Sequence, residues 1–213
     1  MPPHKLPRGL YALIDDSIRP DRSIVEKARA ALAGGAAILQ LRLERTPDRP
    51  ALEVVREVVK LALGRQVPVI INDRVDLALV GGASGVHLGS DDLPPREARR
   101  VLGPKALVGV TTRSLEDIVA AQREGADHVG LGPISSTKTK VVDAPELGLE
   151  RFGAIARAST LPVVGIAGIT LDTIAGVAQA GATAAAVAGD LLNADDMVSR
   201  ARALHEAFCA VEP

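Results

Sequence analysis

The feature that most constrains this chain is an alternation repeated eight times, in which a short apolar run is followed by a segment carrying apolar residues at helical spacing. The runs cover residues 9–14, 37–41, 67–71, 85–88, 106–110, 128–131, 161–166 and 184–188. The helical segments begin with one around Ile24, continue at 52–63, 76–80, 94–102, 115–124, 149–158 and 171–180, and end with one reaching about Phe208. Apolar runs without strict alternation are strands covered on both faces, and strands separated by helices are joined in parallel. Eight such units in 213 residues predict an α/β chain folded as a single (β/α)8 TIM barrel over residues 1–213. Gly35-Ala36, Gly82-Ala83, Gly125-Ala126 and Gly181-Ala182 each stand between a helical segment and the next strand, where glycine supplies the left-handed helix stop. No linker or second domain interrupts the pattern.

Composition narrows the partners. The chain is 47% hydrophobic but only 1% aromatic, so its core must be built from Val, Ile, Leu and Ala. A net charge of -1 gives no bulk attraction for nucleic acid or for a membrane surface, and any cationic site must be local. Cys209 is the only cysteine, so no intrachain disulfide forms, and its place in a late helical run suits a packed or rim thiol better than a nucleophile. Residues 1–8 are proline-rich and basic, without the apolar core of a signal peptide, and no run approaches a membrane span. They read as a flexible N-terminal extension on a soluble, cytoplasmic protein. Self-association into a homo-oligomer is left open.

The chemistry gathers where strands end. In a barrel these ends converge on one mouth, and there the chain places Asp15-Asp16, Gln40-Leu41-Arg42, Asn72-Asp73-Arg74, residues 87–92, Thr111-Thr112-Arg113, residues 137–140, Ala167-Gly168 and Gly189-Asp190. After the sixth strand, Gly132-Pro133 opens into a loop with Thr137, Lys138, Thr139 and Lys140. Such convergent hydroxyl donors and ammonium groups suit phosphate oxygens, although a solvated polar turn has the same composition. Asp15-Asp16-Ser17 reads as a helix-capping turn, and Asp91 or Asp92 could also cap. His87 reads as a structural histidine and His205 as a solvated helix position. Asp73 and Asp92 end neighbouring strands in a mouth that also holds Arg42 and Lys140, and carboxylates beside phosphate-binding cations suit a Mg2+ diphosphate site.

Several blocks in order carry a resemblance: Gln40-Leu41-Arg42, residues 71–78, residues 85–89 with Asp92-Leu93-Pro94, Gly132-Pro133 with residues 137–140, and Gly168-Ile169-Thr170. The chain from Gly9 to about Ala207 resembles the thiamine-phosphate synthase family, which also contains the thiazole tautomerases. The resemblance implies condensation of a hydroxymethylpyrimidine diphosphate with a thiazole phosphate, giving thiamine phosphate and diphosphate. It further implies that Asp73 and Asp92 hold Mg2+, that Arg42, Asn72 and Lys140 bind diphosphate oxygens, and that Gln40 and Thr111 orient the pyrimidine. Thr137 and Thr139 would line the thiazole phosphate, which would also meet backbone N–H groups at Gly168, Ala188 and Gly189. The chemistry implied is a dissociative step through a pyrimidine cation, with no side-chain nucleophile.

The chain departs from the family pattern at identifiable places. Glu44 stands where a lysine is usual, Ser136 replaces a proline, Arg113 a histidine, Ala167 a first glycine, and Ala188-Gly189 an Ile-Ser pair. A carboxylate at position 44 would oppose diphosphate unless the loop turns it aside and brings Arg45 inward. Two alternative readings share the barrel: a thiazole tautomerase, an isomerase with no need for the paired aspartates, and a non-catalytic binding protein for thiazole phosphate.

Overall fold

A computed structural model describes residues 6–136 and 145–212 of the chain. Eight parallel strands close into a barrel in sequence order, with β1 hydrogen-bonded to both β2 and β8. The strands are β1 (Gly9–Asp15), β2 (Ile38–Arg42), β3 (Val69–Asn72), β4 (Gly85–Leu88), β5 (Leu107–Thr112), β6 (His128–Leu131), β7 (Val163–Gly165) and β8 (Ala184–Val187). Between them run α1 (Ile24–Ala33), α2 (Asp48–Leu63), α3 (Val75–Gly81), α4 (Pro95–Leu102), α5 (Leu115–Arg123), α6 (Gly148–Ala158) and α7 (Ile174–Gln179). The expected last helix is instead two, α8 (Gly189–Leu192) and α9 (Met197–Cys209). The break has a local cause: Asp196 caps α9, its carboxylate accepting from the Ser199 N–H at 3.0 Å.

Alternate strand residues face opposite ways, and they build two cores. Leu10, Ala12, Leu39, Leu41, Ile71, Val86 and Val129 pack outward against buried helix residues such as Ala28, Val55, Val58, Phe152 and Phe208. Tyr11, Ile38, Ile70, Leu107, Val164 and Ala184 form a separate buried cluster inside the barrel, joined by Leu6. The four glycines expected to stop helices all take positive φ, from +71° at Gly82 to +101° at Gly181. Among the described residues no helix is long and apolar enough to cross a membrane.

The expected N-terminal extension divides. Residues 1–5 lie outside the described residues, but Leu6 is buried in the barrel, and Arg8 stacks on Phe208 at 4.8 Å and donates to the carbonyl of Ala182 at 3.3 Å. Residues 6–8 therefore tie the start of β1 to α9. His205, expected to be solvated, also serves this junction, since its Nδ1 accepts from the Leu10 N–H at 3.4 Å. Cys209 is exposed on α9, its sulfur 3.7 Å from His205 Nε2.

Candidate active site

The carboxyl ends of the strands surround one cavity of about 670 Å3. That volume suits a pair of small substrates. Its wall includes Gln40 and Arg42 from β2, Asn72 from β3, Thr111 from β5, Gly168 after β7, and Ala188 and Gly189 after β8. All seven described residues expected to bind substrate thus line a single space. The expected phosphate residues Thr137, Thr139 and Lys140 lie outside the described residues.

Several polar groups in this wall are held by neighbours. Gln40, nearly buried, donates from Nε2 to the Tyr11 hydroxyl at 2.8 Å. Burial raises the Tyr11 pKa far more than the Gln40 bond lowers it, so the phenol stays protonated. Thr111 Oγ1 stands 3.0 Å from His87 Nε2. Room for that ring comes from β5 and β6: a Cβ on Gly109 would sit 2.7 Å from His87 Nδ1 and 2.3 Å from His128 Nε2, and one on Gly130 would lie 3.1 Å from His87 Cε1. His128 is fully buried, its ring centroid 6.0 Å from that of His87, and neither of its nitrogens has a hydrogen-bond partner among the described residues. Burial, with a smaller contribution from His87, holds its pKa down to about 3, and it is neutral.

The N-terminal acidic turn is not a helix cap. Ser23 caps α1 through a capping box with Glu26. Asp15 belongs to β1, is buried, and accepts from the Ser17 N–H at 2.6 Å, while its Oδ2 lies 3.4 Å from Arg42 Nη1. Asp16 instead fastens the β2–α2 loop, accepting from the Arg45 N–H at 2.8 Å and the Thr46 hydroxyl at 2.9 Å. Lys27, buried under the same turn, donates to the carbonyls of Asp15 and Ile18.

Arg42 is the centre of charge on this wall. Its Nε and Nη2 meet the two carboxylate oxygens of Glu44 at 2.8 and 3.2 Å. Burial disfavours the cation, but the Glu44 bonds and the charges of Asp15, Glu44 and Asp73 outweigh that and raise its pKa. Glu44 thus turns onto Arg42, and Arg45 is not part of the cavity wall. Arg113, which does line the cavity, forms no ion pair among the described residues.

The paired aspartates stand beside the wall, bonded to residues that form it. Asp73, at φ +61°, accepts from the Asn72 side chain at 2.7 Å and donates its N–H to the His87 carbonyl at 2.8 Å. Asp92 does not cap α4, whose N-cap is Pro94; its Oδ2 accepts from the Gly89 N–H at 2.7 Å. Asp91, expected at the mouth as a possible cap, lines the cavity itself. No group of three Asp, Glu, His or Cys side chains converges to hold a metal among the described residues. A cation with two protein carboxylates and the rest of its shell from phosphate and water is the Mg2+ pattern, and Asp73 and Asp92, each bonded to a residue of the cavity wall, are carboxylates of that kind.

The thiamine monophosphate synthase family model matches residues 10–191. The chain belongs to the thiamine-phosphate synthase family. It is 54% identical to the thiamine-phosphate synthase of Myxococcus xanthus, over 97% of this chain and 94% of that protein. It is 48% identical to that of Anaeromyxobacter dehalogenans, covering 94% and 87%. A solved thiamine phosphate pyrophosphorylase from Pyrococcus furiosus superposes with a TM-score of 0.87 at 32% identity, covering 95% of this chain and 96% of that one. At this identity and coverage the chain is an enzyme of the transferase class: the two sequence relatives carry the synthase name and the solved structure the pyrophosphorylase name, none of them the tautomerase one. Tyr11 and Asn193 line the cavity without having been expected at the mouth. Tyr11 had one available signal, as a lone tyrosine in an apolar strand whose hydroxyl would need a partner once buried.

Proposed function

We propose that this chain joins a hydroxymethylpyrimidine diphosphate to a thiazole phosphate, giving thiamine phosphate and diphosphate with Mg2+ as the required metal. The observation that carries the reading is that Gln40, Arg42, Asn72, Thr111, Gly168, Ala188 and Gly189, from five strand ends, line one cavity. Gln40, fixed by Tyr11, and Thr111, fixed by His87, orient the pyrimidine. Arg42 and Asn72, with Lys140, bind the diphosphate oxygens. The backbone N–H groups of Gly168, Ala188 and Gly189, with Thr137 and Thr139, take the thiazole phosphate.

In the reaction the bond between the pyrimidine methylene carbon and diphosphate oxygen breaks, its electron pair leaving with the diphosphate. The lone pair of the thiazole nitrogen then forms the new carbon–nitrogen bond. No side-chain nucleophile takes part, so the residues act by neutralising the leaving group and aligning two bound reactants. Asp73 and Asp92 would hold Mg2+, which when bound supplies further neutralisation of diphosphate charge. Arg42 contributes a permanently protonated fork for bidentate oxyanion binding.

The test is thiamine phosphate formation by wild type and by Asp92→Ala. The reading predicts product from wild type and a loss of at least about a hundredfold in the variant, with the fold retained and only the small drop in melting temperature that loss of the Gly89 N–H bond brings. An Asp92→Ala enzyme as active as wild type would remove Asp92 from the site.

A further inference from the structure

We propose that Glu44 competes with the substrate's diphosphate for Arg42 and so sets the affinity for that substrate. The inference rests on the reading of Arg42 as a diphosphate-binding residue. Arg42 presents two edges. Its Nη1 faces the Asp15 carboxylate, whose side chain is only 2% exposed, at 3.4 Å. That contact anchors the guanidinium to the barrel. The other edge, Nε with Nη2, is the planar fork that matches two oxygens of a carboxylate or a phosphate. Glu44 takes that fork with both of its oxygens, at 2.8 and 3.2 Å.

An oxyanion that uses the fork must displace Glu44 from it. The Glu44 side chain is 52% exposed, so it can turn into water and recover its hydration. An ion pair with one partner that exposed is weak, and salt and solvent screen it. Arg42 keeps its orientation through Asp15 when Glu44 leaves. Glu44 therefore lowers the affinity of the free enzyme for diphosphate without altering the contacts of the complex, where it is already displaced. A change confined to the free enzyme moves KM and leaves kcat alone.

The opposite role is physically distinct: Glu44 could brace Arg42, and its loss would then weaken binding. Titration of the full chain with inorganic diphosphate in magnesium buffer, followed by calorimetry, separates the two. For Glu44→Gln we expect the Kd to fall about two- to tenfold, with KM for the pyrimidine diphosphate falling alike and kcat unchanged. Glu44→Ala, which leaves no side-chain acceptor at all, should shift Kd in the same direction. Unchanged or weaker diphosphate binding in both variants would overturn the proposal. Turnover by wild type is measured beside the titration: its absence would count against the synthase reading, whereas the direction of the Kd shift decides the role of Glu44.

Discussion

Gln40 Nε2 donates to the Tyr11 hydroxyl at 2.8 Å across neighbouring strands β1 and β2, and both residues line the cavity. The pair converts a flexible amide into a fixed one, with Gln40 Oε1 making no hydrogen bond among the described residues and so left to face a ligand. Tyr11→Phe removes the acceptor and leaves a nearly buried amide unpaired. We expect a loss of about 1–2 kcal/mol in chemical denaturation. KM for the pyrimidine diphosphate should rise about three- to tenfold while KM for the thiazole phosphate stays put. An unchanged pyrimidine KM would separate Gln40 from that substrate.

Ala167 and Gly168 make a second, opposed pair. Both have positive φ, +66° and +70°. Ala167 holds this conformation against its own Cβ, at a cost of about 1 kcal/mol, part of which a glycine would return through unfolded-chain entropy. Ala167→Gly should stabilise by about 0.5 kcal/mol, a rise near 2 °C in Tm. At Gly168 an added Cβ would lie 2.1 Å from Ser135 Oγ and 2.7 Å from the carbonyl oxygens of Ser135 and Ser136. Gly168→Ala should therefore cost about 2 kcal/mol or more. Thermal melts of the two variants check the contrast, and shifts of the same sign would contradict it.

His128 predicts a pH dependence. Its folded pKa, held to about 3 by burial and by His87, lies below the ordinary histidine value near 6.5. Because the unfolded chain binds the proton more readily, the native state keeps its full stability above pH 6.5 and loses it progressively as pH falls from there toward 3. At pH 5 the loss attributable to this residue is about 2 kcal/mol. Denaturant titrations at pH 7 and pH 5 should show that difference in wild type, and a smaller one in His128→Leu. Equal pH responses would show that His128 does not titrate as its burial requires.

Much of the fold is legible because its signals are local. The helical spacing, the unalternating apolar runs and the helix-stop glycines each depend on a few consecutive residues, and β4 and β6 begin and end where the apolar runs at 85–88 and 128–131 do. Errors arose where the partner is distant. Asp15-Asp16-Ser17 has the composition of a cap, but Asp15 pairs with Arg42 on the next strand, and Asp16 with Thr46, thirty residues on. Asp196, by contrast, was a local cap passed over inside a long apolar pattern, which merged α8 with α9.

The site was legible as a set of positions rather than as an arrangement. Strand ends in a barrel must meet, so Gln40, Arg42, Asn72, Thr111 and Gly168 could be gathered from the chain alone. The turn of Glu44 onto Arg42 could not, because it depends on side-chain geometry within a loop. Nor could the packing of His87 and His128 against Gly109, which places residues of three strands in one layer of the barrel interior.

The most direct measurement is a single-turnover mixing of the purified chain with hydroxymethylpyrimidine diphosphate and thiazole phosphate, in magnesium and in chelator. The account predicts thiamine phosphate and inorganic diphosphate in equal amounts with magnesium, and neither with chelator. Tight binding of the thiazole phosphate with no product in either condition would contradict it.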